Sequence, residues 1–447
     1  MARKRAKGVS VSPKAPSKKK KAPAGKSGPL DMSALATSLR NSAATDLAKI
    51  GAVPQNSLID RVYGIPLVNN LPMQYLLGVS VLPMERTLSL VGEKGSLKSV
   101  MSWYFCALFL RYTYPGMVFF EDAEFKTNDD QIRGVIQNDD LLDFIFTTEV
   151  HNVQEMIETM VFYSKKYDEL VPEANVPICY LTDSIGALTS AAAQAAMEKT
   201  GNVGDVAGFD RARTAALITE HFRSWVPMQA GKPFVLIYIN HIKEKIAEAG
   251  GPPKKGPPEK VSPGGVHKDY LNTATIEMIK KSTNSVKSEM RAEVIMRTLK
   301  ASLTETGRKI NVLMRTIGPL NTRYPEGDTL GDLETEDDVQ RYYVYFDWDT
   351  ALIDLLTSDL FPVKALSDVL GGQNGITGTG SQVGCPRLKL SKVSRQELGA
   401  AIHADPQITK ELQDVLGILR KRPYVPPGAD ASPSVPPSGG QEGEGEG

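Results

Sequence analysis

The sequence predicts an α/β protein with a mostly parallel central sheet, a phosphate-binding loop, a helical segment before the core and a small α+β domain after it. Three observations predict this. Thr87 to Ser99 runs from an apolar, β-favouring stretch through Gly92 to Lys98 and Ser99, and Val100 to Arg111 then continues as a helix-compatible segment. Strand, glycine-containing turn, Lys-Ser and helix is the plan of a phosphate-binding loop. Three further apolar runs end in polar groups: Gly116 to Glu124 in three carboxylates, Val176 to Asp183 in an aspartate followed by Ser184, and Pro233 to His241 in an amide and an imidazole. Fully apolar short runs are strands buried on both faces, and groups at their carboxyl ends lie where open α/β sheets bind ligands. Between these runs lie stretches of helical apolar spacing.

Length and charge set the frame. A chain of 447 residues has room for two or three domains. Lys plus Arg and Asp plus Glu are 52 each, so the formal net charge is zero. The charge is unevenly placed: the first thirty residues hold ten Lys or Arg and no acid, and the last few alternate Glu and Gly. A basic head points to an anionic partner or a targeting signal. The three cysteines, Cys106, Cys179 and Cys385, are far apart, which fits buried thiols in a reducing compartment and no metal spacing. No apolar run reaches the roughly 18 residues of a membrane span, and no apolar stretch follows the basic head as in a secretory signal.

In chain order, residues 1–30 read as a disordered basic tail. Residues 31–75 form a helical segment, whose Met32, Leu35, Leu39, Leu47 and Ile50 make an apolar stripe over Asp31 to Ala52. The core spans 76–320. In it, Asp130 to Asn138, Leu141 to Thr147 and Val153 to Tyr167 alternate helix-like and strand-like patterns; Ala191 to Lys199 and Asp210 to Gln229 read as helices. Thr200 to Phe209 and Lys243 to Gly265 read as loops, the second long enough to be functional or disordered. Thr273 to Lys281, Ala292 to Thr304 and Lys309 to Ile317 read as strands. After about Asn321 acidic turns precede an aromatic run, Tyr342 to Trp348, then helices and a glycine-rich patch, and 321–422 is expected to be a separate α+β domain. Residues 423–447 read as a disordered tail.

The loop carries the chemistry. Backbone N–H groups over Gly92, Glu93, Lys94, Gly95, Ser96, Leu97, Lys98, Ser99 and Val100 would cradle polyphosphate. Lys98 would neutralise the outer phosphates, and Ser99 would offer a hydroxyl to Mg²⁺. Asp183, at a neighbouring strand tip, could hold the ion directly or through water. The usual pattern has glycine before the lysine, and here that residue is Leu97.

Five stations in order resemble the RecA recombinase family. Leu82-Pro-Met-Glu-Arg86 is similar to its Leu-Pro-x-Gly-Arg, Phe120-Glu-Asp-Ala-Glu124 to Phe-Ile-Asp-Ala-Glu, and Leu181-Thr-Asp-Ser-Ile-Gly-Ala-Leu188 to Val-Val-Asp-Ser-Val-Ala-Ala-Leu. Tyr238-Ile-Asn-His241 stands where the family has Phe-Ile-Asn-Gln, and Gly264-Gly265 resembles the end of its second DNA loop. The resemblance covers roughly Asp31 to Gly318. It implies a RecA-like ATPase core, with residues 31–75 serving oligomerisation, ATP and Mg²⁺ as cofactors, and helical filaments on DNA. Lys98 would bind the β- and γ-phosphates, Ser99 and Asp183 would serve Mg²⁺, Glu124 would be the general base, and His241 would take the place of the γ-phosphate-sensing glutamine. Thr200 to Phe209 would be the first DNA loop. Lys243, Lys245, Lys254, Lys255 and Lys260 of the second loop, with Arg211 and Arg213, would contact DNA backbone. Lys300 would be one of a lysine pair reaching a neighbour's phosphates, with Ser302 at the other position. The implied function is ATP-dependent filament formation on single-stranded DNA, leading to homologous pairing with double-stranded DNA and strand exchange, in the cytoplasm of a bacterial or phage-infected cell. Leu97 makes the alternative a weakly hydrolysing RecA-like protein that coats DNA or regulates a recombinase. A hexameric helicase-type motor is a third option.

Overall fold

The computed structural model describes residues 63–127, 129–170, 176–200, 207–229, 231–244, 260–261, 272–286, 289–317, 343–378 and 380–424. The expected basic tail, the helical segment up to residue 62 and the tail from 425 lie outside them. The described chain opens with β1 (Tyr63–Pro66), the short helix α1 (Leu71–Leu77) and β2 (Val81–Pro83). Asn70 caps α1 by accepting from the Met73 N–H, and Gly78 ends it in the left-handed conformation.

The core follows as strand–helix alternation. β3 (Arg86–Gly92) leads to α2 (Lys98–Thr113), then β4 (Met117–Asp122) to α3 (Asp129–Ile136), and β5 (Ile145–Glu149) to α4 (Val153–Leu170). β6 (Ile178–Asp183) is followed by two helices, α5 (Ala191–Thr200) and α6 (Ala207–Gln229), and then β7 (Phe234–His241). Two-residue strands β8 (Lys243–Glu244) and β9 (Lys260–Val261) pair at the base of the long loop. A hairpin of thirteen-residue strands, β10 (Ala274–Val286) and β11 (Glu289–Ala301), precedes β12 (Lys309–Ile317) and β13 (Tyr343–Asp347).

Nine of these strands make one sheet, in the order β13-β12-β11-β10-β3-β7-β6-β4-β5. From β10 to β5 every neighbour is parallel; from β10 to β13 every neighbour is antiparallel. The mixed α/β class with a mostly parallel sheet is therefore as the sequence predicts. β6 and β7 are buried almost throughout, because helices cover both faces. On one face Phe120, Leu181, Ile237 and Ile239 join a core with Val100, Phe105 and Phe109 of α2. On the other, Phe119, Tyr180 and Tyr238 pack with Met156 and Met160 of α4 and Phe222 and Trp225 of α6. α2 is buried nearly all round, as expected of a helix apolar on every side. All three cysteines are buried free thiols.

The segment expected as a separate domain differs from the prediction. β13 completes the sheet against β12, and α7 (Trp348–Leu356), α8 (Val363–Leu370), α9 (Arg395–Ala404) and α10 (Pro406–Val415) add Leu352, Leu370, Leu398, Ile402, Ile408 and Leu412 to the core that α2 occupies. A small hairpin, β14 (Gln382–Cys385) with β15 (Leu390–Ser394), lies between α8 and α9. The chain then returns to β16 (Arg422–Pro423), parallel to β1. The described residues all fall in one compact unit. The physical reason is the apolar face of 343–356: once Val344 and Trp348 pack on the sheet, the helices behind them have no core of their own. The acidic stretch that suggested the boundary lies outside the described residues. Among the described residues, no helix is long and apolar enough to cross a membrane.

Candidate functional site: a glycine loop with a carboxylate–imidazole pair

β3 lies between β7 and β10, so the loop after it opens at the middle of the sheet's carboxyl edge. Gly92 is obligatory there: an added Cβ would stand 2.4 Å from the Met278 carbonyl oxygen and 2.6 Å from Ser96 Oγ. Gly95 (φ 76°) and Leu97 (φ 67°) both adopt the left-handed conformation. For Leu97 that backbone costs about 1–2 kcal/mol, which a glycine would not pay. Leu97 keeps its place because its side chain packs against the main core. Its own side chain cannot cap α2, so the first N–H groups of the helix point out of the loop without intrahelical acceptors.

Lys98 is 4% exposed. Its Nζ donates to the Glu93 carbonyl at 2.8 Å and to Ser96 Oγ at 3.3 Å. Burial lowers its pKa, against the opposing pull of Asp183 and Glu124. Ser99, one residue on, donates from Oγ to Asp183 Oδ2 at 2.5 Å. Asp183 ends β6 directly abreast of Asp122, which ends β4. Burial pushes the Asp183 carboxyl up to about 6; the Ser99 hydrogen bond and Lys98 resist this, and Glu124 and Asp122 add to it.

Glu124 stands just past β4 on a turn shaped by Asp122, whose carboxylate accepts the Glu124 and Thr127 N–H groups, each at 3.1 Å. Three donors converge on its carboxylate. His241 Nε2 lies 2.6 Å from Oε1, Ser184 Oγ donates to Oε1 at 2.8 Å, and Lys126 Nζ donates to Oε2 at 2.8 Å. Partial burial alone would raise the Glu124 pKa, but the bonds from Lys126, His241 and Ser184 win and pull it down to about 2. The carboxylate is thus ionised, and its proton affinity depends on which donors hold it. His241 ends β7 level with Gly92, so the imidazole links the end of β3 to Glu124.

Lys98, Ser99, Asp183, Glu124 and His241, which the sequence singled out, are therefore brought together. The structure adds Ser184 and Lys126. Ser184 was visible as the residue after Asp183, but its partner Glu124 is 60 residues away. Lys300 is not at the edge. It pairs with Thr275, which is level with Ser89, three residues before Gly92. The cations that do continue beyond Gly92 are Lys280 and Lys281, both exposed on the part of β10 past Met278. Glu121, counted in sequence among three carboxylates at the edge, is buried inside the sheet instead. Arg213 is exposed on α6, and Arg211 lies on the same helix. That helix begins at Ala207, inside the segment read as a loop; 201–206 lie outside the described residues. Lys243 and Lys260 fall on the paired strands β8 and β9, and Lys245, Lys254 and Lys255 lie outside the described residues.

The donor set suits a polyphosphate with Mg²⁺. Among the described residues no group of three or more His, Cys, Asp or Glu is gathered to hold a metal. A Ser99 hydroxyl with the Asp183 carboxylate suits an ion that takes few protein ligands and completes its shell with phosphate oxygens and water. No protein-family model matches the chain, and no curated protein matches it.

Proposed function

We propose that this chain is an ATP-dependent recombinase of the RecA type, which forms filaments on single-stranded DNA and promotes homologous pairing and strand exchange. One observation carries the reading: Lys98, the Ser99–Asp183 pair and the Glu124–His241 pair meet at one carboxyl edge, around the strand that precedes the glycine turn. The order of the parallel strands and the antiparallel extension beyond β10 support it. So do the five sequence stations, which all fall at or beside these elements or at the end of the long loop.

Bound ATP·Mg²⁺ would supply the phosphoanhydride to be hydrolysed and the charge that offsets its phosphates. The protein's own part is positioning. The loop N–H groups and Lys98 would hold the phosphates, and Ser99 and Asp183 would hold the ion. Glu124 orients water and accepts its proton, which requires it to exchange one of its present donors. His241 touches Glu124 and leads within two residues into β8 and the Lys-rich loop, so a change at the carboxylate is felt where that loop begins. Lys243, Lys245, Lys254, Lys255, Lys260, Arg211 and Arg213 would supply backbone contacts.

A second reading has a specific observation behind it. Leu97 stands where the loop pattern has glycine and holds a left-handed backbone, which favours a protein that holds nucleotide and coats DNA without fast turnover. The test is single-stranded DNA binding, with and without ATP, followed by electron microscopy. ATP-dependent filaments support the proposal. Nucleotide-independent binding would leave the coating reading, and closed rings would point to a motor.

A further inference from the structure

We propose that Glu121 is a positioning residue of this site: from the opposite face of the sheet it ties β4 to β6 directly behind Glu124 and Asp183 and so sets their spacing. Phe119 of β4, Ala123 just past its end and Tyr180 of β6 belong to the core under α4 and α6. Strand alternation puts Glu121 and Thr182 on that same side, away from Asp122 and Asp183. Both are 1% exposed and abreast in the β4–β6 register. Thr182 Oγ1 donates to Glu121 Oε2 at 2.7 Å, while Oε1 is buried with no partner among the described residues. One residue further along each strand the site begins. Asp122 shapes the Glu124 turn, Asp183 takes Ser99, and Ser184 reaches Glu124. A shift of β4 against β6 would separate Ser184 from Glu124.

Among the described residues no counter-charge serves Glu121. The ionisable groups in the core on this side are Tyr163, Tyr167, Tyr180, Tyr238 and His221, with Tyr238 level with Thr182, and burial pushes His221 down to about 4, leaving it neutral. Lys232 lies over Tyr167 and Phe234, beside the start of β7. Glu158 and Lys165 on α4, and Arg213, Glu220 and Arg223 on α6, are exposed. A buried carboxylate without a partner charge takes a proton instead. Burial raises Glu121 to about 8, only partly opposed by the Thr182 hydrogen bond. The sign follows. Between its ordinary 4.5 and about 8 the folded chain holds a proton that the unfolded chain has lost. Stability from this group is therefore full below 4.5, falls as pH rises, and is constant above about 8.

The proposal rests on the site reading above, and its first two tests do not need turnover. Thermal unfolding of wild type and Glu121→Gln, which cannot ionise, is compared from pH 5 to pH 9. The curves should converge at pH 5 and separate by pH 8 with the Gln variant more stable; parallel curves would overturn the neutral carboxyl. A crystal structure of Glu121→Val, which cannot accept from Thr182, should show the Ser184–Glu124 contact lengthened beyond hydrogen-bond range. An unchanged contact would overturn the positioning role. If Val does not fold, Glu121→Leu takes its place, and failure of both with a normal Gln variant shows that the Thr182 tie is required. In ATP turnover, Val should lower kcat about tenfold at unchanged KM, with Gln restoring it. Equal kcat in active wild type and Val would count against the proposal, whereas an inactive wild type would count against the ATPase reading alone.

Discussion

The carboxyl edge of the parallel strands and the antiparallel flank with its C-terminal helices share one sheet but are stabilised differently. At the edge, Asp122, Asp183, Lys98 and Glu124 are drawn out of water and held by short hydrogen bonds around a loop with two left-handed residues. On the flank, Leu352, Ile353, Leu398 and Ile402 are fully buried, and charge lies in separate pairs, at the surface as in Arg395–Asp354 and Arg387–Glu411 or reaching inward as in Arg297–Glu277 and His403–Asp349. The difference teaches where to look for function. Groups that are costly to bury and lie together at one edge are kept for chemistry; apolar groups that fit are kept for stability.

Substitutions can break that contrast. The largest effect is expected at Glu124. Glu124→Gln should cut ATP turnover on the order of 100-fold to 10,000-fold while nucleotide still binds, trapping an ATP-bound filament; unchanged turnover in a steady-state assay would remove Glu124 as the base. Lys98→Ala comes next, with nucleotide affinity falling on the order of 100-fold or more and ATP-stimulated DNA binding lost, as fluorescence titration would show. Near neutral pH Lys98→Ala should unfold close to wild type, whereas Glu124→Gln should lose the contribution that the donors to its carboxylate make there.

The flank should behave in reverse. Leu352→Ala removes a fully buried side chain and should cost about 2–5 kcal/mol in chemical denaturation, with nucleotide affinity unchanged. The smallest effect belongs to Arg395→Ala, which breaks the partly exposed pair with Asp354 and should change stability by about 1 kcal/mol or less. A pH series sharpens the comparison. Glu124 is held at about 2 in the folded chain, so its contribution is present above its ordinary 4.5 and lost as pH falls through about 2. Glu124→Gln should flatten that acid limb, and Leu352→Ala should leave its shape intact.

Much of the parallel half was legible in sequence, because each strand is a short apolar run with a polar stop: Gly92, Asp122, Asp183, His241. What the stops could not show was direction. Phe-Glu-Asp-Ala-Glu reads as three acids at one place, yet a period of two sends Glu121 into the core beneath α4 and α6 and leaves Asp122 and Glu124 at the site. Partners distant in the chain were equally hidden. Ser184 with Glu124 and Gln137 with Val344 depend on strand order and close approach, not on any local pattern. Lys300 illustrates the same limit, since register alone places it level with Ser89. The C-terminal segment looked separate because its composition changes, but strand 343–347 completes a sheet whose first strand begins at Arg86.

The most direct test of the central claim is ATP hydrolysis by the full chain with and without single-stranded DNA, with Leu97→Gly and Lys98→Ala alongside. DNA-stimulated turnover in wild type, abolished by Lys98→Ala, is the predicted result. Turnover that is absent in wild type and in Leu97→Gly alike would contradict a recombinase ATPase at this loop, while its emergence only in Leu97→Gly would mark a loop tuned down for holding nucleotide.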